Sequence, residues 1–182
     1  MRKIEFNEKL KIWCVRIILT LLCILMIAWI FSNSLKDSTQ SGQQSSQVTE
    51  GVQDVLETFK PDLSLGGKTE QEDFYILHKL VRSLAHFAEF ALLCALVTWC
   101  VRSYTKIKYF FAIPLPLCFG VAVFDEYLQT FTAGRTQELA DVLMDCLGAC
   151  AGFAFALASI WLAGVLLRYI RQKKTLSDGG RD

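Results

Sequence analysis

His78, Arg82, His86 and Glu89 recur at i, i+4, i+8 and i+11. On an α-helix that spacing puts two imidazoles, a guanidinium and a carboxylate on one face. Further along stand Asp125, Glu126 and Gln129, then Arg135, then Asp141 and Asp145. Residues of these types can move protons, grip phosphate or carboxylate, or fix helix register as ion pairs. His86 is the candidate general base, oriented by Glu89 or Asp125, with Glu126 as partner acid. Arg82 and Arg135 are candidate anion holders, pairing at rest with Asp125, Glu126 or Asp141. Gln129 shares a helix face with Asp125 at i, i+4. No serine or cysteine nucleophile stands in a recognisable elbow. A metal set of His86, Glu89, Asp125 and Glu126 has a single histidine, a poor match to zinc, so neither metal nor cofactor is expected.

The elements that carry these residues are long apolar runs. The 182-residue chain is 53% hydrophobic and 20% charged, and the two classes are segregated. Segregation on that scale is the mark of helices that cross a bilayer. Four spans are expected: 12–31, 84–101, 107–124 and 142–167. The first carries Arg16 near one end, where its long side chain reaches the interface. It is too long for a signal-peptide core and lacks a good cleavage site, so it is read as retained. The third contains Pro114 and Pro116. The fourth has no charge from Cys146 to Leu167 and includes Gly148 and Gly152, a spacing that permits close helix contact and a homo-oligomer through those glycines. All seven cysteines lie in or beside apolar runs, which reads as packing and not as a disulfide framework.

Lys and Arg set the orientation. Arg2, Lys3, Lys9, Lys11 and Arg16 precede or open the first span; Arg102, Lys106 and Lys108 join the second and third; Arg168, Arg171, Lys173, Lys174 and Arg181 follow the fourth. These are 13 of the 19 basic residues. The excess predicts cytoplasmic termini, an external segment over 32–83, an external loop over 125–141 and a cytoplasmic tail over 168–182. Within 32–83, Val48, Val52, Val55, Leu56 and Phe59 predict a short amphipathic helix from about Ser46 to Lys60, lying on the membrane or over the bundle. A further helix is expected to start near Phe74 and run into the second span. From Phe90 to Val101 the second span has only 12 uncharged residues. It must take His86 and Glu89 into the membrane to be long enough. At about 1.5 Å per residue Glu89 stands roughly 20 Å from Arg102, inside a core about 30 Å thick. The expected fold is therefore an all-α integral membrane bundle, one domain over 1–182, with its polar residues meeting at the outer ends.

Three stretches resemble the VanZ-like family of small bacterial membrane proteins. They are Phe31-Ser32-Asn33-Ser34 with the Ser-rich run after it, Arg82 to Phe90 with its His-Phe-x-Glu-aromatic core, and Asp125-Glu126-x-x-Gln129 followed by Arg135, Asp141 and Gly148. The resemblance runs in order from about Phe31 to Phe155. Ser83 stands where a lysine is common, Phe90 where a tyrosine is common, and Asp145 where an asparagine is frequent. The resemblance implies a multi-pass protein of the bacterial cytoplasmic membrane linked to tolerance of teicoplanin-type lipoglycopeptides. Its expected partners are membrane lipids and a lipid-linked cell-wall precursor or the antibiotic, held in an outward pocket of Arg82, His86, Glu89, Asp125, Glu126, Gln129, Arg135 and Asp141. An intramembrane acid–base enzyme on a lipid-linked substrate is the second expectation, and a small transporter the third. With a net charge of +1, no nucleic-acid partner is expected.

Overall fold

The computed structural model describes residues 2–60, 65–105, 110–133 and 139–178. Those residues form five α-helices and one 3-10 turn, with no strand among them: α1 (Arg2–Ser34), α2 (Ser38–Phe59), α3 (Glu70–Tyr104), the turn Phe110–Ala112, α4 (Pro114–Gln129) and α5 (Leu139–Asp178). By length and composition, three stretches are able to cross a membrane: Lys9–Ser34, Glu70–Tyr104 and Leu139–Lys173. Large apolar side chains cover their outer faces, among them Trp13, Ile18 and Leu25 on α1 and Phe155, Trp161 and Leu166 on α5. Water would not tolerate so large an exposed apolar surface; lipid does.

The sequence places a helix over 107–124 with two prolines inside it. Instead Pro114 opens α4 as its first helical residue, after Ile113. A proline has no N–H to donate, and the first turn is where none is needed. The helix therefore begins later than expected and runs on through Asp125, Glu126 and Gln129. Its 16 residues make it shorter than the other three bundle helices. Residues 106–109 lie outside the described stretches.

Two polar segments are more ordered than their composition suggests. Asp37 caps α2, accepting the Gln40 N–H at 2.8 Å and the Thr39 hydroxyl at 2.6 Å. The Ser/Gln-rich run is thus helical from Ser38, eight residues before the expected start. Thr69 caps α3 by accepting the Glu72 N–H, while Glu72 accepts the Lys68 N–H at 2.6 Å. These two bonds start α3 at Glu70 instead of Phe74. Ahead of it Asp73 accepts the N–H groups of Leu65 and Gly67, and Gly66 turns the chain at φ 100°. Only glycine takes that conformation without strain.

The cap makes α2 sensitive to acid. The Thr39 hydroxyl, and then the Gln40 amide, hold the Asp37 carboxyl below its ordinary pKa. A lowered folded value means the contribution is intact above the ordinary carboxylate range and is lost as pH falls through the lowered one. Protection of the first α2 amides against hydrogen exchange, taken relative to their intrinsic rate at each pH, should therefore fall in acid. In Asp37→Asn, whose amide oxygen caps without titrating, that acid step should vanish; an unchanged step would show that another group causes it.

α3 is the hub, packing against α1, α2, α4 and α5. Its contact with α5 is the most extensive and is parallel. Gly148 sits against Phe87 and Gly152 against Ala91, while Trp99 Nε1 donates to Ser159 Oγ at 2.9 Å. The partners are about 60 positions apart each time, so the two chains keep step. Both glycines lie under α3, which takes the close contact expected of them for this intrachain pairing. α1 runs antiparallel to α3, with Arg16 donating to the Ser103 carbonyl at one end and Trp29 to Glu89 near the other. Phe90, Leu93, Cys94, Cys118, Ala122 and Ala149 form the core between them with Ile30. All seven cysteines are free thiols. α2 lies along the start of α3, joined by Ser45 and His78 at 2.7 Å. Its apolar stripe divides: Thr49, Val52 and Leu56 turn inward, and Val48, Val55 and Phe59 stay exposed.

Candidate functional site

These directions bring four helix ends together. The end of α1, the upper part of α3, the end of α4 and the start of α5 meet at one pole of the bundle. Most of the polar residues singled out from the sequence lie there; Arg82 takes one of its expected partners, Asp141, whereas His86 takes an unexpected one.

With about 100° of rotation per residue, His78, Glu89, Arg82 and His86 fan over an arc of roughly 80° in that order. His78 and Glu89 occupy one edge and His86 the other. At the first edge His78 meets Ser45 of α2 and stacks on Phe74. Glu89 Oε1 accepts from Trp29 Nε1 at 3.0 Å and Asn33 Nδ2 at 3.4 Å, both on α1. At the other edge Arg82 pairs with Asp141 at 3.7 Å, and His86 Nδ1 stands 3.3 Å from Asp145 Oδ1. His86 thus faces neither of its expected orienters most closely. Its neighbour is Asp145, which the sequence reading left out of the pocket.

Asp125 is 1% exposed and lies between helices. The Ser34 hydroxyl donates to its Oδ1, and Gln129 Nε2 donates to its Oδ2 at 3.4 Å. Thr132 Oγ1 donates to the Ser34 carbonyl at 3.2 Å, closing the end of α1 onto α4. One ligating atom from each of His86, Asp125 and Asp145 falls within 4.8 Å of the others. Glu126 is buried beside Asp125. Arg135 lies outside the described residues.

Above this floor opens a cleft of about 350 Å³ lined by α1, α2 and α3, with His86, Glu89 and Asp125 at its base. Arg82 and Lys36 line it too. Lys36 Nζ donates to Asn33 Oδ1 at 2.9 Å and Gln44 Oε1 at 3.0 Å, and lies 5.8 Å over the Trp29 ring. The arrangement is a cationic, hydrogen-bonding mouth over a buried acid–imidazole floor.

The VanZ/LLP1 family model matches residues 18–171, from within α1 to within α5, and so takes in every residue of the site. The chain belongs to the VanZ/LLP1 family. No curated protein and no solved structure matches it. Membership and the three long apolar helices together make it a VanZ-like membrane protein.

Several groups of this VanZ/LLP1 site were not placed in the pocket from sequence: Trp29, Asn33, Ser34, Lys36 and Asp145, the last noted there but not assigned to it. The ammonium in the cleft comes from Lys36, in the turn between α1 and α2, and not from position 83, where Ser83 stands. For Asp145 a signal existed. It lies one turn before Gly148 on the face that glycine presents to α3. Asn33 and Ser34 fall in the first resembling stretch, although nothing in their types showed what they would contact.

Proposed function

We propose that this VanZ-like protein binds an anionic headgroup, of a lipid or a lipid-linked cell-wall precursor, in the cleft over His86, Glu89 and Asp125. The reading rests on one observation: Arg82 and Lys36 line a cleft whose other walls supply Trp29, Asn33, Ser41, Gln44 and Ser45 as hydrogen-bonding groups. A guanidinium and an ammonium together suit phosphate or carboxylate. Asp141 holds Arg82 at 3.7 Å, loose enough for a phosphate to compete. Arg135 enters the proposal from the sequence, as a further anion holder.

The membrane arrangement belongs to the same reading. One domain over 1–182 would cross the bacterial cytoplasmic membrane four times, α4 forming the third span, with both termini in the cytoplasm. The cleft then faces outward, where lipoglycopeptides of the teicoplanin type act, and headgroup binding would contribute to tolerance of them. A C-terminal reporter should be active only in its cytoplasmic form; an external tail would overturn the topology.

Native mass spectrometry of the detergent-extracted protein tests binding. The wild type should carry a lipid-sized adduct. Arg82→Ala and Arg135→Ala should each lose most of it, by about ten-fold if each arginine supplies one charge-assisted contact. Equal adducts in all three would sink the reading. A second reading, acid–base catalysis on a lipid-linked substrate, is favoured by the proximity of His86 to Asp145. Turnover of envelope lipids in nanodiscs that His86→Gln abolishes would favour it over binding alone.

A further inference from the structure

The floor of the cleft has a feature that headgroup binding does not use. His86 Nδ1 and Asp145 Oδ1 are buried, face each other at 3.3 Å, and have no hydrogen-bond partner among the described residues. Asp145 is only 2% exposed. A buried polar atom without an aligned hydrogen bond is costly, and two of them that meet only as a 3.3 Å contact are a reason to ask what belongs between them. The third member, Asp125, brings a carboxylate oxygen within 4.8 Å of both.

We infer that His86, Asp125 and Asp145 form a binding site for a divalent transition-metal ion. The spacing of His86 and Asp145, with Asp125 converging to within 4.8 Å of both, carries the assignment. A tetrahedral ion with bonds of about 2.0–2.1 Å holds its ligand atoms roughly 3.3 Å apart. That is the separation of His86 Nδ1 from Asp145 Oδ1, which lies too poorly aligned for a hydrogen bond. One imidazole with two carboxylates is a nitrogen–oxygen donor set open to first-row divalent ions; the single histidine counts against zinc in the sequence, and the convergence of the three atoms outweighs it. The set differs from the one weighed from sequence: Glu89 turns to α1, Glu126 is not among the converging residues, and Asp145 enters.

The surroundings are those of a supported ligand. The Ser34 hydroxyl and the Gln129 amide both donate to Asp125 and fix its carboxylate plane. Such outer hydrogen bonds orient first-rank ligands in metalloproteins. The three ligands come from three helices, α3, α4 and α5, so an ion would tie the polar pole of the bundle together. Three protein ligands also leave a fourth tetrahedral position free. His86 and Asp125 line the cleft, so water or an oxygen ligand can reach a bound ion from there. The site stands whether or not the cleft holds a lipid, because none of its three ligands is needed to bind a headgroup.

The test uses the full chain in detergent, stripped with chelator and offered zinc chloride alone. Metal per chain is counted after gel filtration, and affinity is read by competition with a chromophoric chelator. The wild type should bind one zinc per chain. His86→Gln and Asp145→Asn should weaken binding by more than about 100-fold, and Ser34→Ala, which removes only the support of Asp125, by about 10–100-fold. Glu89→Gln should bind as the wild type does. Cobalt added to the wild-type protein should give the ligand-field absorption of a low-coordinate site with a nitrogen donor, and this readout needs no variant to fold. No stoichiometric zinc and no cobalt bands in the wild type would overturn the assignment. So would undiminished zinc binding in both His86→Gln and Asp145→Asn. Loss of zinc with retention of the lipid adduct would uphold the metal site apart from the headgroup reading.

Discussion

Gly152→Val is expected to cost the protein most of its thermal resistance in detergent. A β-carbon built on Gly152 would stand 1.9 Å from the Ala91 carbonyl oxygen and 2.6 Å from its carbon. One turn earlier, a β-carbon on Gly148 would stand 2.2 Å from the Phe87 oxygen. The obstacles are backbone atoms, so no rotamer change relieves them. The helices must separate by more than an ångström, which loosens the Trp99–Ser159 hydrogen bond and draws Asp145 and Asp141 away from His86 and Arg82. Overpacking a close-packed contact costs about 1–3 kcal/mol, and clashes with backbone on a rigid helix place this one at the upper end. Gly120→Ala is the control, since nothing lies within 4 Å of its β-position on α4. It should be neutral or stabilise by about 0.5–1 kcal/mol. Unfolding midpoints by tryptophan fluorescence would decide it. A Gly152→Val protein that melts with the wild type would mean that α3 and α5 are not packed in this register.

Asp125→Ala should be nearly as damaging, for an electrostatic reason. The buried carboxylate is the acceptor for the Ser34 hydroxyl and the Gln129 amide, and through Ser34 it holds α1 to α4. Hydrogen bonds to a charged group are worth about 1.5–3 kcal/mol, and donors left without an acceptor add a penalty of their own. Removing a buried charge offsets part of that loss, so a net of about 2 kcal/mol is expected. A double-mutant cycle with Ser34→Ala isolates the contact. The two losses should fall short of additivity by about 1 kcal/mol or more; full additivity would show that the hydroxyl and the carboxylate do not stabilise each other. Asp125→Asn, which keeps an acceptor oxygen, should restore part of the midpoint.

The two changes act on different layers of one construction. Gly148 and Gly152 bring the backbones of α3 and α5 into contact, and that contact sets which residues face each other a turn above. The acids and the histidine are then held at distances that no single helix specifies. A headgroup or a metal ion would meet a site whose shape comes from glycine packing that starts one turn below it.

Much of this was open to reading from the amino acids alone. Uncharged runs announce long apolar helices because a bilayer core accepts no unpaired polar backbone. The shortness of the run from Phe90 to Val101 places His86 and Glu89 within the apolar part of α3. The residues from Arg82 to Phe90 and from Asp125 to Asp141 suffice for the family resemblance, and the family holds. The tertiary structure decided the partners. Helical periodicity places His78, Arg82, His86 and Glu89 on one arc, but it is silent on which neighbour lies at each edge of the arc. That depended on the azimuth of α1 and α5 around α3 and on the parallel step between α3 and α5. Hence Glu89 turned to Trp29 and Asn33, and His86 met Asp145. The start of α4 at Pro114 was a local matter of one missing N–H, legible in principle. The cluster of His86, Asp125 and Asp145 was not, because its three atoms come from three helices and their approach within 4.8 Å is a property of packing alone.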